Sequence, residues 1–155
     1  RLDPNLMLDR LRREAGFSLL PAPIAYDNGI ALLGWRWHKT PQNRWRMSSI
    51  WRVDGAPNDH SLHLFHHVRA GNERQLIAQE DVPMSSGSWQ AGDTVIVWAD
   101  FKPDPKLDLA MTNGPVQADI GIYRNPGLQR IAVAPQSRHL ASPEPTIVTL
   151  SLAAR

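Results

Sequence analysis

Cysteine is absent from the 155-residue chain, which removes disulfide scaffolds, thiolate zinc sites and cysteine nucleophiles together. No stretch approaches the roughly 20 apolar residues of a transmembrane helix, and no signal-peptide pattern is visible. An excess of one charge is missing too: 17 Lys and Arg stand against 15 Asp and Glu, a formal +2. A protein that grips a phosphate backbone carries a basic stripe, so nucleic acid is not an expected partner. There is no G-x-S-x-G elbow, no P-loop and no dinucleotide fingerprint. Nothing singles out the carboxylate pair of a glycosidase either. The expectation is a non-catalytic protein with no cofactor.

What is present points to many short strands. The 13 Pro and 10 Gly are spread along the chain, so turns recur throughout. The length suits one core that buries roughly 70% of the unfolded chain's surface. The first segment is the exception. Asp3 is a good N-cap, Pro4 fits the first helical position and Gly16 sits at a helix stop. Leu8, Leu11 and Ala15 recur at helical spacing, while Arg10, Arg12 and Arg13 crowd the end where cations complement the macrodipole. A short amphipathic helix over 4–15 is predicted. It either packs on the body of the protein or docks on a membrane surface or a partner.

Pro21 to Pro23 end that pattern, and a period of 2 takes over. Strands are predicted over 30–37, 44–53, 61–68, 73–79, 94–101, 116–123, 128–133 and 146–152. Asp54-Gly55, Ala70-Gly71-Asn72, Ser86-Gly87, Asn113-Gly114 and Asn125-Pro126-Gly127 mark turns between most of them. The predicted fold is all-β: an antiparallel β-sandwich, jelly-roll or immunoglobulin-like, over 21–155, with the helix and its connector over 1–20.

Alternation assigns faces. In the second strand Trp45, Met47, Ser49, Trp51 and Val53 share one side, read as core. Arg44, Arg46, Ser48, Ile50 and Arg52 share the other, an arginine comb. Trp35 and Trp37 share a face whose burial alternation leaves open, and Trp89 marks a turn. Trp35, Trp37 and Trp98, with Arg44, Arg46 and Arg52, are the candidate contact residues, since Trp and Arg serve both stacking and interface anchoring.

Two other clusters carry less. His60, His63, His66 and His67 crowd one strand, but His63 and His67 fall on one face and His60 and His66 on the other. They are read as exposed or hydrogen-bonded strand histidines, not as metal ligands. Asp100, Asp104 and Asp108 lack the alternation of a calcium loop and are read as a solvated loop.

From Trp51 onward the order of features carries a resemblance. Phe65-His66-His67-Val68 makes a strand, Gln79, Asp81 and Pro83 follow, Trp89-Gln90-Ala91-Gly92-Asp93 makes a turn, and Gly121-Ile122-Tyr123 closes a later strand. This resembles the C-terminal β-sandwich domain of bacterial multi-spanning membrane proteins of the dolichyl-phosphate-mannose-type glycosyltransferase class, and of related uncharacterised membrane proteins. There a Phe-Val-His-Leu strand, a Gln-x-Asp-x-x-Pro stretch, a Trp-x-x-Gly-Glu turn and a Gly-Leu-Tyr-Asp strand occur in that order, over about residues 28–152 here. The chain departs in placing Arg124 after Tyr123 and Thr112-Asn113-Gly114-Pro115-Val116-Gln117 at the approach to that same strand.

The resemblance implies an extracytoplasmic accessory domain that works with a membrane protein and binds a carbohydrate or glycolipid. Its place would be the periplasmic or extracellular face of a bacterial membrane, anchored by a segment upstream of Arg1. The alternative is a structural or protein-interaction subunit docked on a larger membrane complex through its helix and arginine comb.

Overall fold

The computed structural model describes residues 3–153. Helix α1 (Pro4–Ala15) forms as its caps dictate. The Asp3 carboxylate accepts the Asn5 N–H at 3.0 Å, and Gly16, at a φ of 72°, donates its N–H to the Leu11 carbonyl. The strands follow as β1 (Ser18–Ala25), β2 (Ile30–Lys39), β3 (Trp45–Val53), β4 (Leu62–Ala70), β5 (Gln75–Pro83) and β6 (Thr94–Asp100). After helix α2 (Pro105–Asn113) come β7 (Val116–Arg124), β8 (Gln129–Arg130) and β9 (Val148–Ala153). They form two antiparallel sheets, one in the order β1-β2-β3-β6, the other in the order β5-β4-β7-β8 with β9 also on β7. The predicted all-β sandwich with an N-terminal helix is the fold observed.

Pro21 and Pro23 do not end the pattern; they lie inside β1, a strand on the edge of its sheet. The register there jumps from Leu19↔Gly34 to Ile24↔Leu32, so the proline stretch swings off the ladder where its missing N–H groups cost nothing. β1 also crosses the boundary expected at residue 20. The strand expected over 128–133 shrinks to the two residues of β8, followed by a lone bridge from Val133 to Tyr26. Asp104 caps α2 by accepting the Lys106 N–H at 2.9 Å, so the expected aspartate loop is a helix.

β2 carries the irregularity that arranges the core. Leu32 pairs with Trp51 and Gly34 with Ile50, which leaves Leu33 as an extra residue, a β-bulge. Ile30 and Leu32 point inward before it; Trp35 and Trp37, cross-strand from Ser49 and Met47, point inward after it. Leu33 is released to the outer side, where it joins Phe17 and Ile50 under the apolar stripe of α1, Leu8, Leu11 and Ala15. The arginine comb is therefore interrupted: Ile50, between Ser48 and Arg52 in its row, is fully buried beneath the helix.

The inner faces meet in one core through Leu32, Met47, Trp51, Leu64, Ile120 and Ile122. Trp51 donates its indole N–H to Ser49 Oγ at 2.8 Å, and that hydroxyl donates to the Val97 carbonyl at 3.3 Å, which satisfies a serine buried in the apolar layer. Trp37 stacks on Trp45, with centroids 5.2 Å apart, and meets Phe101 edge-on at 5.3 Å; Phe101 meets His66 of the opposite sheet at 6.2 Å.

His66 is fully buried in that layer. Its Nδ1 donates to the Glu80 carbonyl at 3.0 Å, and burial pulls its pKa down to about 4. The unfolded chain takes up a proton at this position near pH 6.5, which the folded state refuses. Stability is therefore expected to fall as pH drops from about 6.5 to 4, by roughly 3 kcal/mol from this residue. In urea denaturation at pH 7 and pH 4.5, His66→Leu should lose less stability than the wild type; equal losses would contradict the buried neutral state.

Candidate functional site

Strand alternation on β4 sends Leu62, Leu64, His66 and Val68 into the core and His63, Phe65 and His67 outward. The registers extend that outer row to both neighbours. His67 lies opposite Gln79, Phe65 opposite Asp81 and His63 opposite Pro83 on β5. On β7, Phe65 faces Gly121 and His63 faces Tyr123. The outward members of the resemblance motifs thus converge on one exposed face of the five-stranded sheet.

Gly121 makes the patch possible. A Cβ there would be driven into the Phe65 ring, so the absence of a side chain lets Phe65 lie flat on the sheet, only 3% exposed. The Arg130 guanidinium stacks above that ring, 4.7 Å from its centroid. Tyr123 donates its hydroxyl to Asp81 Oδ2 at 2.8 Å. The His67 ring sits 4.9 Å from Phe65, and the His63 ring 5.5 Å from Tyr123. Phe65, His67, Asp81, Tyr123, Leu128 and Arg130 enclose a hollow of about 190 Å³. Leu128 stands at it 66% exposed and with a φ of 58°, a conformation a branched side chain adopts at a cost of roughly 1–3 kcal/mol. A strained, exposed leucine beside a polar hollow is a feature of ligand sites more than of packing.

The electrostatics define what the hollow offers. Burial, reinforced by the Asp81 carboxylate, pushes the Tyr123 pKa up to about 12, so the phenol stays a neutral donor at any physiological pH. Burial holds His67 below its ordinary value, which keeps it neutral, able to donate and accept. Asp81 supplies acceptors and Arg130 donors. Farther along the same face Asp119 is buried but compensated, taking Arg69 Nε at 3.1 Å, Arg74 Nη2 at 2.6 Å and Thr149 Oγ1 at 2.7 Å. It ties β4, β7 and β9 together and is not open to a ligand.

The residues singled out from sequence lie elsewhere. Trp35 and Trp37 are turned inward by the bulge and pack on the core. Trp98 is 55% exposed on β6, with the Arg46 guanidinium 5.5 Å from its ring. Arg46 is clamped by both oxygens of Asp100 at 2.6 and 2.9 Å, and Arg52 by Asp54 at 2.7 and 3.0 Å. Arg44 is exposed in the turn before β3. Trp98, Arg44, Arg46 and Arg52 thus belong to the opposite sheet from the hollow. Asp108 accepts from Lys39 Nζ at 2.9 Å and from the Trp45 indole at 2.8 Å, so the three loop aspartates serve different partners. No group of three or more metal-ligating side chains converges among the described residues.

The patch has a signal in the sequence. Phe65/His67, Gln79/Asp81 and Gly121/Tyr123 are each spaced i, i+2, so each pair shares a face of its strand. Spectrophotometric titration tests the site's central bond: Asp81→Asn should bring one tyrosine of this two-tyrosine protein to ionise below pH 12, and an unchanged titration would mean that no such bond exists. No family model matches the chain, and no curated protein matches its sequence.

Proposed function

We propose that this chain is a non-catalytic, extracytoplasmic accessory domain of a membrane protein and that it binds a carbohydrate, free or as the glycan of a glycolipid, on the outer face of its five-stranded sheet. The observation that carries this reading is the hollow at Asp81, Tyr123, His67 and Arg130 over the Phe65 floor. A sugar presents hydroxyls that both donate and accept, and the hollow offers a carboxylate acceptor, a guanidinium donor, a phenol and a neutral imidazole within one small volume. At about 190 Å³ it is below the roughly 300–1,000 Å³ of pockets that enclose a drug-sized ligand, so a single ring or the end of a chain fits it better than a long oligomer.

The polarity of the Tyr123–Asp81 bond supports binding over catalysis. An activated nucleophile or base needs its pKa moved towards neutrality, and Tyr123 is moved away from it. Placement on rigid central strands suits recognition, since β4 and β7 are each paired on both sides.

Titration of ¹⁵N-labelled protein with a panel of neutral, acidic and amino sugars should shift the backbone signals of β4, β5 and β7 around Phe65, Asp81 and Tyr123. Asp81→Asn and Arg130→Gln are each expected to weaken binding about tenfold or more, the size of one lost charge-assisted hydrogen bond. A panel in which no sugar moves these signals would refute the carbohydrate reading.

A further inference from the structure

The outer face of the four-stranded sheet is built for a different contact. β6 is an edge strand, paired with β3 alone. Its outward residues Ile96 and Trp98 are 40% and 55% exposed. Edge strands that need only protection carry charge or proline outward; this one presents two large apolar side chains. Trp98 is also held in place, because Arg46 lies over its ring while both oxygens of Asp100 fix that guanidinium from the neighbouring row.

The charge around Trp98 is net positive. Arg36 pairs across the sheet with Ser48, which in turn faces Trp98; Arg46 occupies the next row, and Arg44 the turn beyond it. Asp100 is the carboxylate set against these three, and among the described residues Arg36 and Arg44 have no acidic group within ion-pair distance. Helix α1 lies on this face, with its C-terminal Gly16 beside Arg36. There Arg12 and Arg13 share the single carboxylate of Asp9, at 2.7 Å each, and Leu6 is half exposed. The same field acts on His38, which burial and then the charges of Arg36 and Arg46 hold below its ordinary pKa.

We propose that this face docks on a lipid surface carrying anionic headgroups, with Trp98 and Ile96 at the headgroup boundary and Arg36 and Arg44 against the lipid phosphates. Trp is a residue of that boundary, arginine forks match phosphate oxygens, and an amphipathic helix lying flat beside them extends the contact. No helix among the described residues is long and apolar enough to cross a membrane. The arrangement also leaves the hollow on the five-stranded sheet facing away from the bilayer.

Co-sedimentation with vesicles of phosphatidylglycerol mixed into phosphatidylcholine, against phosphatidylcholine alone, tests the proposal. The protein should bind the anionic vesicles, release them as salt is raised, and show a blue shift of tryptophan emission that Trp98→Phe removes. Arg36→Gln with Arg44→Gln should weaken binding on the order of 25-fold, about fivefold for each arginine near an anionic surface, while Lys106→Gln on α2 should leave it unchanged. Thermal melts confirm that each variant is folded. Equal binding to neutral vesicles, or indifference to the arginine pair, would overturn the assignment. Binding to soluble polyglutamate without binding to vesicles would make the face one for acidic proteins and overturn it equally.

Discussion

Between Leu32 and Gly34, β2 sets two residues against one of β3, and the rest of the domain follows from that extra residue. A strand of strict period 2 that buried Ile30 and Leu32 would turn Trp35 and Trp37 to the outside. The bulge at Leu33 resets the phase, so both ends of β2 feed the core, and Leu33 itself becomes the apolar point on which α1 rests. Gly34 belongs to the same device. A Cβ there would come within 2.7 Å of the Ser18 carbonyl oxygen, so the close approach of β1 to the bulge requires glycine.

One consequence is a division of labour between the sheets. The four-stranded sheet has its outer side partly covered by α1 and edged by Trp98 and the arginines, while the five-stranded sheet leaves its outer side open. Tryptophan is absent from the five-stranded sheet and histidine is concentrated there. His66 shows how tightly the interior is specified. It occupies a core position among Leu64 and Val68, tolerated because the imidazole is neutral and its Nδ1 is bound to the Glu80 carbonyl. The outer row of the same strand uses histidine in the opposite way, half exposed beside Asp81 and Tyr123.

Much of the fold was legible because its signals are local. The Asp3 and Gly16 caps bounded α1, and alternation in β3, β4, β6 and β7 located those strands within one or two residues. The failures have physical causes. Prolines 21 and 23 read as a terminator, but an edge strand has a side with no ladder to break. α2 has a weak sequence signal because its nine residues show little amphipathic periodicity; Leu107 is its one buried residue, and its Asp104 cap stands between two prolines. The bulge was invisible because its evidence is a register between two strands, which no single strand contains.

The candidate site was legible in part. Four residues that carry the resemblance, Phe65, His67, Asp81 and Tyr123, line the hollow, whereas composition points to the tryptophans and arginines. Six tryptophans are conspicuous by number alone. What composition does not contain is which of them are outside. Trp51 and Trp37 are drawn inward by the alternation of β3 and by the bulge, whereas Phe65, an unremarkable strand residue by type, becomes the floor of the hollow because Gly121 is its cross-strand neighbour.

The most direct test of this account is the solvent exposure of two indoles. The side-chain N–H signals of Trp37 and Trp98, assigned by Trp37→Phe and Trp98→Phe, can be followed as a soluble paramagnetic agent is added. Since Trp37 Nε1 is buried and Trp98 stands 55% exposed, the Trp98 signal should broaden early while that of Trp37 persists. If the two broaden together, β2 has no bulge at Leu33, and the inward core, the seat of α1 and the separation of the two outer faces fall with it.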